Sequence, residues 1–335
     1  MALAALASAL KLRSTITPEV ATTRNYIIRG FIPVVAALAI LQGLNALALP
    51  YTSIRLDSQR WVMLLLAGAI CSAVGLYCLK FVFARALGAC MIISWIVIIA
   101  GQGGLTLSYI TSSLGHSFPL RDPALASIDA GLGFDWTAML AWFDRYPTTT
   151  TIGRHFYQSL VAQQVIVPII LILFRQYRTA QMTVLIFITS LLLTHLIALF
   201  APAVSSYPFY GIDPSQHPNA RLSQEDTFIP VVHALRAGLT VDLSQPPFFA
   251  VTTFPSLHST MAIVFAWALR QAPYVRWLGL FTNAIMLAFT PLHGSHYLVD
   301  VIAGVALALV TIPLSQWLMG KLAGPSMGAD IAPCR

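Results

Sequence analysis

The chain has 335 residues, of which 57% are hydrophobic and only 9% charged, with a mean hydropathy of +0.76. A soluble domain carries about 25% charged residues, so this composition excludes a water-enclosed globule and makes lipid the solvent for most of the surface. The net charge of +7 comes from Lys and Arg scattered through loops without a basic run, which speaks for a topology signal and against a nucleic-acid interface.

Residues 1–30, MALAALASALKLRSTITPEVATTRNYIIRG, put an apolar stretch before the basic residues. A signal peptide has the opposite order, so this segment reads as a cytoplasmic arm of interfacial character. Eight apolar segments follow, near 31–50, 61–79, 88–111, 157–174, 181–203, 257–270, 276–292 and 297–319. Runs of about 20 apolar residues cross a bilayer as helices, because hydrocarbon offers no partner to open backbone groups. The sixth and seventh are short and are separated only by RQAPYVR. The predicted fold is an all-α polytopic bundle of about eight transmembrane helices. Residues 31–111 read as accessory helices, 157–320 as the catalytic core and 321–335 as a cytoplasmic tail.

Two longer segments interrupt the spans. Residues 112–156 include ALASIDAGLGFDWTAMLAWFDRYP, where apolar and aromatic residues recur at helical spacing between Asp residues. One or two helices lying on the membrane surface are expected there. Residues 204–256 are rich in Pro, Ser and polar groups, and are too long for a plain connector. They suggest a lid, a substrate-binding loop or a disordered stretch. Cys71, Cys78, Cys90 and Cys334 lack metal-ligand spacing and read as small buried hydrophobes. Small-residue patterns in the second and third spans read as helix-packing sites.

Eight spans put both termini on one side. Arg55, Arg60, Arg121, Arg145, Arg154, Arg221 and Arg236 fall on the opposite side; the other twelve of the 19 basic residues share the side of the termini, in short loops. The positive-inside rule makes that side cytoplasmic. A bacterial inner membrane, with the outer loops in the periplasm, is the expected location.

TFPSLHST (253–260) opens the sixth span and HGSHYLVD (293–300) leads into the eighth, both on the outer face. Pro255 suits a first helical turn. The N–H groups of Ser256, Leu257 and His258 would then point outward, as a phosphate-binding helix start does. His296 and Asp300 are four apart and share a helix face. The carboxylate can accept the Nδ1 proton of the imidazole, leaving Nε2 as a nucleophile. Asp300 is the one acidic residue placed within a span, and such a residue is functional by default. The expected chemistry is phosphoryl transfer through a phosphohistidine. In it His296 attacks phosphorus, Asp300 orients it, His258 protonates the leaving oxygen and Ser256 holds phosphoryl oxygens. No metal or other cofactor is called for. Arg236 is the expected cation for the phosphate charge, with His293 a second substrate-binding candidate and Arg154 and His155 weaker ones. Two other classes fit less well: a transporter using the His–Asp pair for protons, and a non-catalytic lipid-binding protein. The first would string its polar residues through the bilayer, and the second needs no nucleophile–orienter pair.

These residues carry a resemblance. Pro255-Ser256-x-His258 with His296-x-x-x-Asp300 resembles the paired PS-x-H and H-x-x-x-D motifs of the type 2 phosphatidic acid phosphatase superfamily, over roughly residues 150–320. That resemblance implies a core of about six helices and metal-independent phosphoesterase or phosphotransferase action on a lipid phosphate, with an alcohol as a possible acceptor. The family's first motif, K-x6-R-P, is absent. Its distal S-R pair is here Phe289 and Thr290. TPLHGSHYLVD is most similar to the inositol phosphorylceramide synthase-like branch, where the same cationic elements are lost.

Overall fold

The structure, a computed structural model, describes residues 18–220, 225–244 and 249–324. The chain runs through α1 (Pro18–Ala48), α2 (Ser58–Cys78), α3 (Arg85–Leu114), the short α4 (Asp122–Gly131) and α5 (Trp136–Asp144), then α6 (Pro147–Leu173) and α7 (Tyr177–Phe200). After α8 (Ser206–Tyr210) and α9 (Glu225–Arg236) come α10 (Leu257–Leu269), α11 (Arg276–His293) and α12 (Leu298–Ala323). Two short parallel strands, β1 (Ile54–Arg55) and β2 (Val241–Asp242), pair Ile54 with Val241. The protein is an all-α polytopic bundle.

Six of these helices, α1, α2, α3, α6, α7 and α12, are long and apolar enough to cross a membrane. The other two expected spans are α10, with 13 residues, and α11, with 18. At 1.5 Å per residue they are about 20 and 27 Å long, against about 30 Å of hydrocarbon. The expected arm does not stand apart from the first span: its residues 18–30 belong to α1, and residues 1–17 lie outside the described residues. Cys334 and most of the expected tail also lie outside them.

The core is built on α7. Leu171 of α6, Ile186 and Ile188 of α7, Phe265 of α10 and Ala308 of α12 are fully buried together. In lipid, association rests on close packing and interhelical hydrogen bonds. Thr189 meets Ser315 and Ser190 meets Thr311, each at 3.2 Å, tying α7 to α12. The small-residue pattern of the second and third spans has its place here. A Cβ on Gly75 would come within 2.8 Å of the Gly88 carbonyl, so α2 and α3 touch backbone to backbone. The opposite face of α2 exposes Met63, Leu66 and Ile70, as a lipid-facing helix does.

The outer segments fold onto this bundle. In the expected surface segment two helices form, but two of its acids do not face water. Asp122 and Asp129 are buried, because each accepts backbone N–H groups from the ends of other elements. Helix α6 also begins at Pro147, ten residues before the expected span. Within the long polar segment, α9 buries Val232 and Leu235 in a cluster with Ile54, Tyr109, Ile110, Val204 and Val251. That cluster packs on the C-terminal end of α3.

Candidate functional site

Helix α10 starts with Ser256 as its N-cap, whose side chain accepts from the Ser259 N–H. Pro255 therefore precedes the helix and is not in its first turn. The Ser256 N–H is also taken, by the Asp300 carbonyl at 3.2 Å. The amides of Leu257 and His258, in the first turn, remain donors that the helix itself cannot use. Helix α10 lies against α12 at Gly304, where a Cβ would come within 2.3 Å of the Ser256 carbonyl. Thr260 Oγ1 donates across this contact to the Gly304 carbonyl at 2.9 Å. Glycine at 304 is thus what lets the PSLH turn sit beside the start of α12.

At that start, the first amides of α12 are all occupied. Tyr297 N–H donates to Asp300 Oδ2 at 3.0 Å. Leu298 and Val299 donate to the two oxygens of Asp129 at 2.7 and 2.8 Å. His296 Nδ1 lies 3.2 Å from the same Asp300 Oδ2. With Nδ1–H donating to the carboxylate, Nε2 carries the lone pair, and the Ser256 hydroxyl sits 3.2 Å from it. Trp136 Nε1–H donates to the His296 carbonyl at 3.1 Å. The loop before it is bent, with Ser295 in the left-handed region at φ 51°. The bend is held by Ser295 Oγ, 2.6 Å from Ser205 Oγ and accepting from Tyr207 N–H at 3.1 Å. Tyr207 in turn donates its hydroxyl to the Leu292 carbonyl.

The second acid of the outer cap secures the neighbouring turn. Asp122 accepts from the amides of Val204 and Ser205 and from the Tyr297 hydroxyl, the last at 3.0 Å. Burial pushes the Asp122 and Asp129 carboxyls above the ordinary carboxylate range, with their hydrogen bonds pulling the other way. Burial and the neighbouring Asp122 push the Tyr297 phenol far up, so it stays a donor.

His258 projects from the first turn of α10, and its ring stacks on Tyr157 of α6 with centroids 3.9 Å apart and planes 11° off parallel. His258, Tyr157, His293 and His296 all line one cavity of about 570 Å³. That volume suits a small-molecule or lipid head-group site, for which about 300–1,000 Å³ is usual. The remaining wall is largely apolar and comes from α3, α6 and α7, including Leu105, Leu160, Phe187 and Leu191. Helix α3, grouped by sequence with the accessory helices, is thus part of the cavity.

The structure brings Ser256, His258, His296 and Asp300 together. His293 lines the same cavity, with Nε2 engaged to the Thr150 carbonyl at 3.0 Å. Arg236 is not brought there. Its guanidinium donates to the carbonyls of Gly115, His116 and Phe118 at 3.1, 3.3 and 2.9 Å, so its fork is filled by the end of α3. Arg154 and His155 do not line the cavity either, and among the described residues lining it none is Lys or Arg. Reasoning from sequence missed Tyr157, Trp136, Asp122 and Asp129. The two acids had a signal, being scarce charges in an apolar chain; Tyr157 had none.

The family profile of the PAP2 superfamily matches residues 123–314, more than half of the chain, and takes in Ser256, His258, His293, His296 and Asp300 but not Asp122 or the α3 wall. No curated protein matches the chain, and no solved structure does. The superfamily consists of phosphoesterases. With the apolar helices, this supports a membrane lipid phosphatase in general terms. The chain belongs to the PAP2 superfamily.

Proposed function

We propose that the protein cleaves or transfers a lipid phosphate ester through a phosphohistidine on His296. The observation that carries this reading is the line Asp300–His296–Ser256. The carboxylate engages Nδ1 of an imidazole that lines the cavity, and Nε2 lies 3.2 Å from the buried serine hydroxyl. In the first step Nε2 attacks phosphorus, and Asp300 stabilises the imidazolium that forms. His258 gives its proton to the leaving lipid oxygen. In the second step neutral His258 takes a proton from water or an alcohol, whose oxygen attacks the phosphohistidine and frees Nε2. Ser256 Oγ and the amides of Leu257 and His258 hold phosphoryl oxygens as charge shifts onto them. His293 is a further phosphate contact. None of these steps calls for a metal.

The absence of Lys and Arg from the described lining favours the inositol phosphorylceramide synthase-like branch, whose motifs also lack the cationic elements. We assign the site to the periplasmic face of a bacterial inner membrane, from the distribution of basic residues.

The test is product analysis with purified protein in EDTA. Labelled phosphatidic acid, a prenyl diphosphate and phosphatidylinositol are each supplied with and without an alcohol, beside His296→Ala. Free phosphate, or a new phosphodiester lipid, formed by the wild type and lost in His296→Ala is the expected result. Turnover that survives in His296→Ala would overturn the mechanism. Silence across the panel would remove these lipids as substrates.

A further inference from the structure

Tyr157 of α6 lines the cavity, and the chemistry proposed above gives its hydroxyl nothing to do. The ring lies flat on His258 with centroids 3.9 Å apart, and its centroid is 6.1 Å from that of His293, so the phenol is held in place by its neighbours. A buried tyrosine hydroxyl usually finds a partner. Tyr207 gives its own to the Leu292 carbonyl, and Tyr297 to Asp122. The Tyr157 hydroxyl has no hydrogen-bond partner among the described residues. Its oxygen is also not one of the sealed buried atoms, so it remains accessible.

Gly294 shows what lies beside that oxygen. A Cβ built on Gly294 would come within 2.8 Å of the Tyr157 hydroxyl and 2.9 Å of His296 Nε2. The phenol oxygen and the attacking nitrogen therefore border the same methyl-sized space. At φ −97° the backbone of residue 294 does not itself call for glycine; the missing side chain is what leaves the space open. Phosphoryl oxygens arriving on Nε2 carry negative charge, and among the described lining residues none is Lys or Arg. His293 has Nε2 committed to the Thr150 carbonyl. A phenol keeps its proton at neutral pH, and a hydroxyl donating to an anionic oxygen forms a short, charge-assisted bond.

We propose that Tyr157 is a further catalytic residue, whose hydroxyl donates to a phosphoryl oxygen as that group moves onto and off His296. This rests on the function proposed above. The bonds exchanged are the same: the bond from phosphorus to the lipid oxygen breaks as P–Nε2 forms, and P–Nε2 breaks as water or an alcohol attacks. His258 carries the proton in both steps, and the Tyr157 proton stays on the phenol throughout. A neutral donor thus serves where the K-x6-R-P and S-R cations are absent from the sequence.

The probe is inorganic orthovanadate, which takes up the five-coordinate geometry of phosphorus in transfer, titrated calorimetrically into the purified full chain in detergent. Tyr157→Phe keeps the ring on His258 and removes only the oxygen. Vanadate should bind the wild type, and Tyr157→Phe should weaken it about tenfold or more at an unchanged melting temperature. His296→Ala should weaken it as well. Vanadate affinity in Tyr157→Phe within about twofold of the wild type overturns the proposal; with His296→Ala still weakened, the function proposed above stands without it. A weakening that comes only with a lower melting temperature assigns Tyr157 to packing and also overturns it. Binding weakened by Tyr157→Phe but untouched by His296→Ala keeps Tyr157 as the anion donor and sinks His296 as the nucleophile instead. A wild type that does not bind vanadate overturns both.

Discussion

The two walls of the cavity differ in how their groups are employed. Around His296 many groups are engaged: Asp300 Oδ2 serves two groups, Asp129 serves two amides, and Trp136 holds the His296 carbonyl, while Asp300 Oδ1 is buried without a partner among the described residues. Along α3 and α7, Thr194 waits without a partner. A crowded, satisfied network fixes a side chain in one geometry before substrate arrives. A buried group left without a partner carries its desolvation cost instead. In a membrane protein, where polar residues are few, the first kind points to positioning.

The first wall should break sharply. His296→Ala should lower kcat by roughly 10⁴-fold or more, as loss of a nucleophile does. Asp300→Asn should follow at roughly 10²- to 10⁴-fold, the imidazole losing its orienting carboxylate. Steady-state rates of folded, monodisperse protein check both, and a loss under tenfold in either would contradict the assigned roles.

Asp129 acts one step away, since it touches α12 and not substrate. Asp129→Asn keeps one acceptor oxygen but turns an amide N–H₂ toward a backbone N–H. Losing a charged acceptor costs about 1.5–3 kcal/mol. A lower unfolding temperature and a kcat reduced about 10- to 100-fold are expected, with KM within about threefold. A change in KM alone would place Asp129 in substrate binding. Trp136→Phe removes one N–H and leaves the His296 carbonyl short of a donor. About 1 kcal/mol and a few-fold loss of kcat are expected.

Arg236 sharpens the contrast from outside both walls. Its guanidinium ties α9 to the turn after α3, so Arg236→Ala should lower thermal stability and leave KM for a phosphate lipid within about twofold. A tenfold rise in KM would restore it as a phosphate clamp.

Much of this was legible in the sequence, for reasons of period and cost. Apolar runs of membrane length specify the bundle, and only the short α10 and α11 depart from full spans. His296 and Asp300 could be paired because i,i+4 spacing is a local geometric fact. What lay hidden was held by contacts far apart in the chain. Asp129 reaches Leu298 and Val299 across 169 and 170 residues, and no local pattern records such a partner. The alternation of Asp with apolar residues in 122–144 looked like a surface helix facing water. Asp122 and Asp129 instead face inward, onto backbone amides of other elements, while Asp135 stays exposed. Arg236 misled in the same way: a lone cation near a phosphate motif also suits a helix end rich in free carbonyls.

Trapping the intermediate tests the central claim most directly. Wild-type protein, His258→Ala and His296→Ala are each mixed with ³²P-labelled dioctanoyl phosphatidic acid, quenched in alkali, which preserves phosphohistidine, and digested for mass spectrometry. Label on the peptide containing His296 is expected in the first two and absent from the third. Label on another residue, or turnover within tenfold of wild type in His296→Ala, would contradict His296 as the nucleophile.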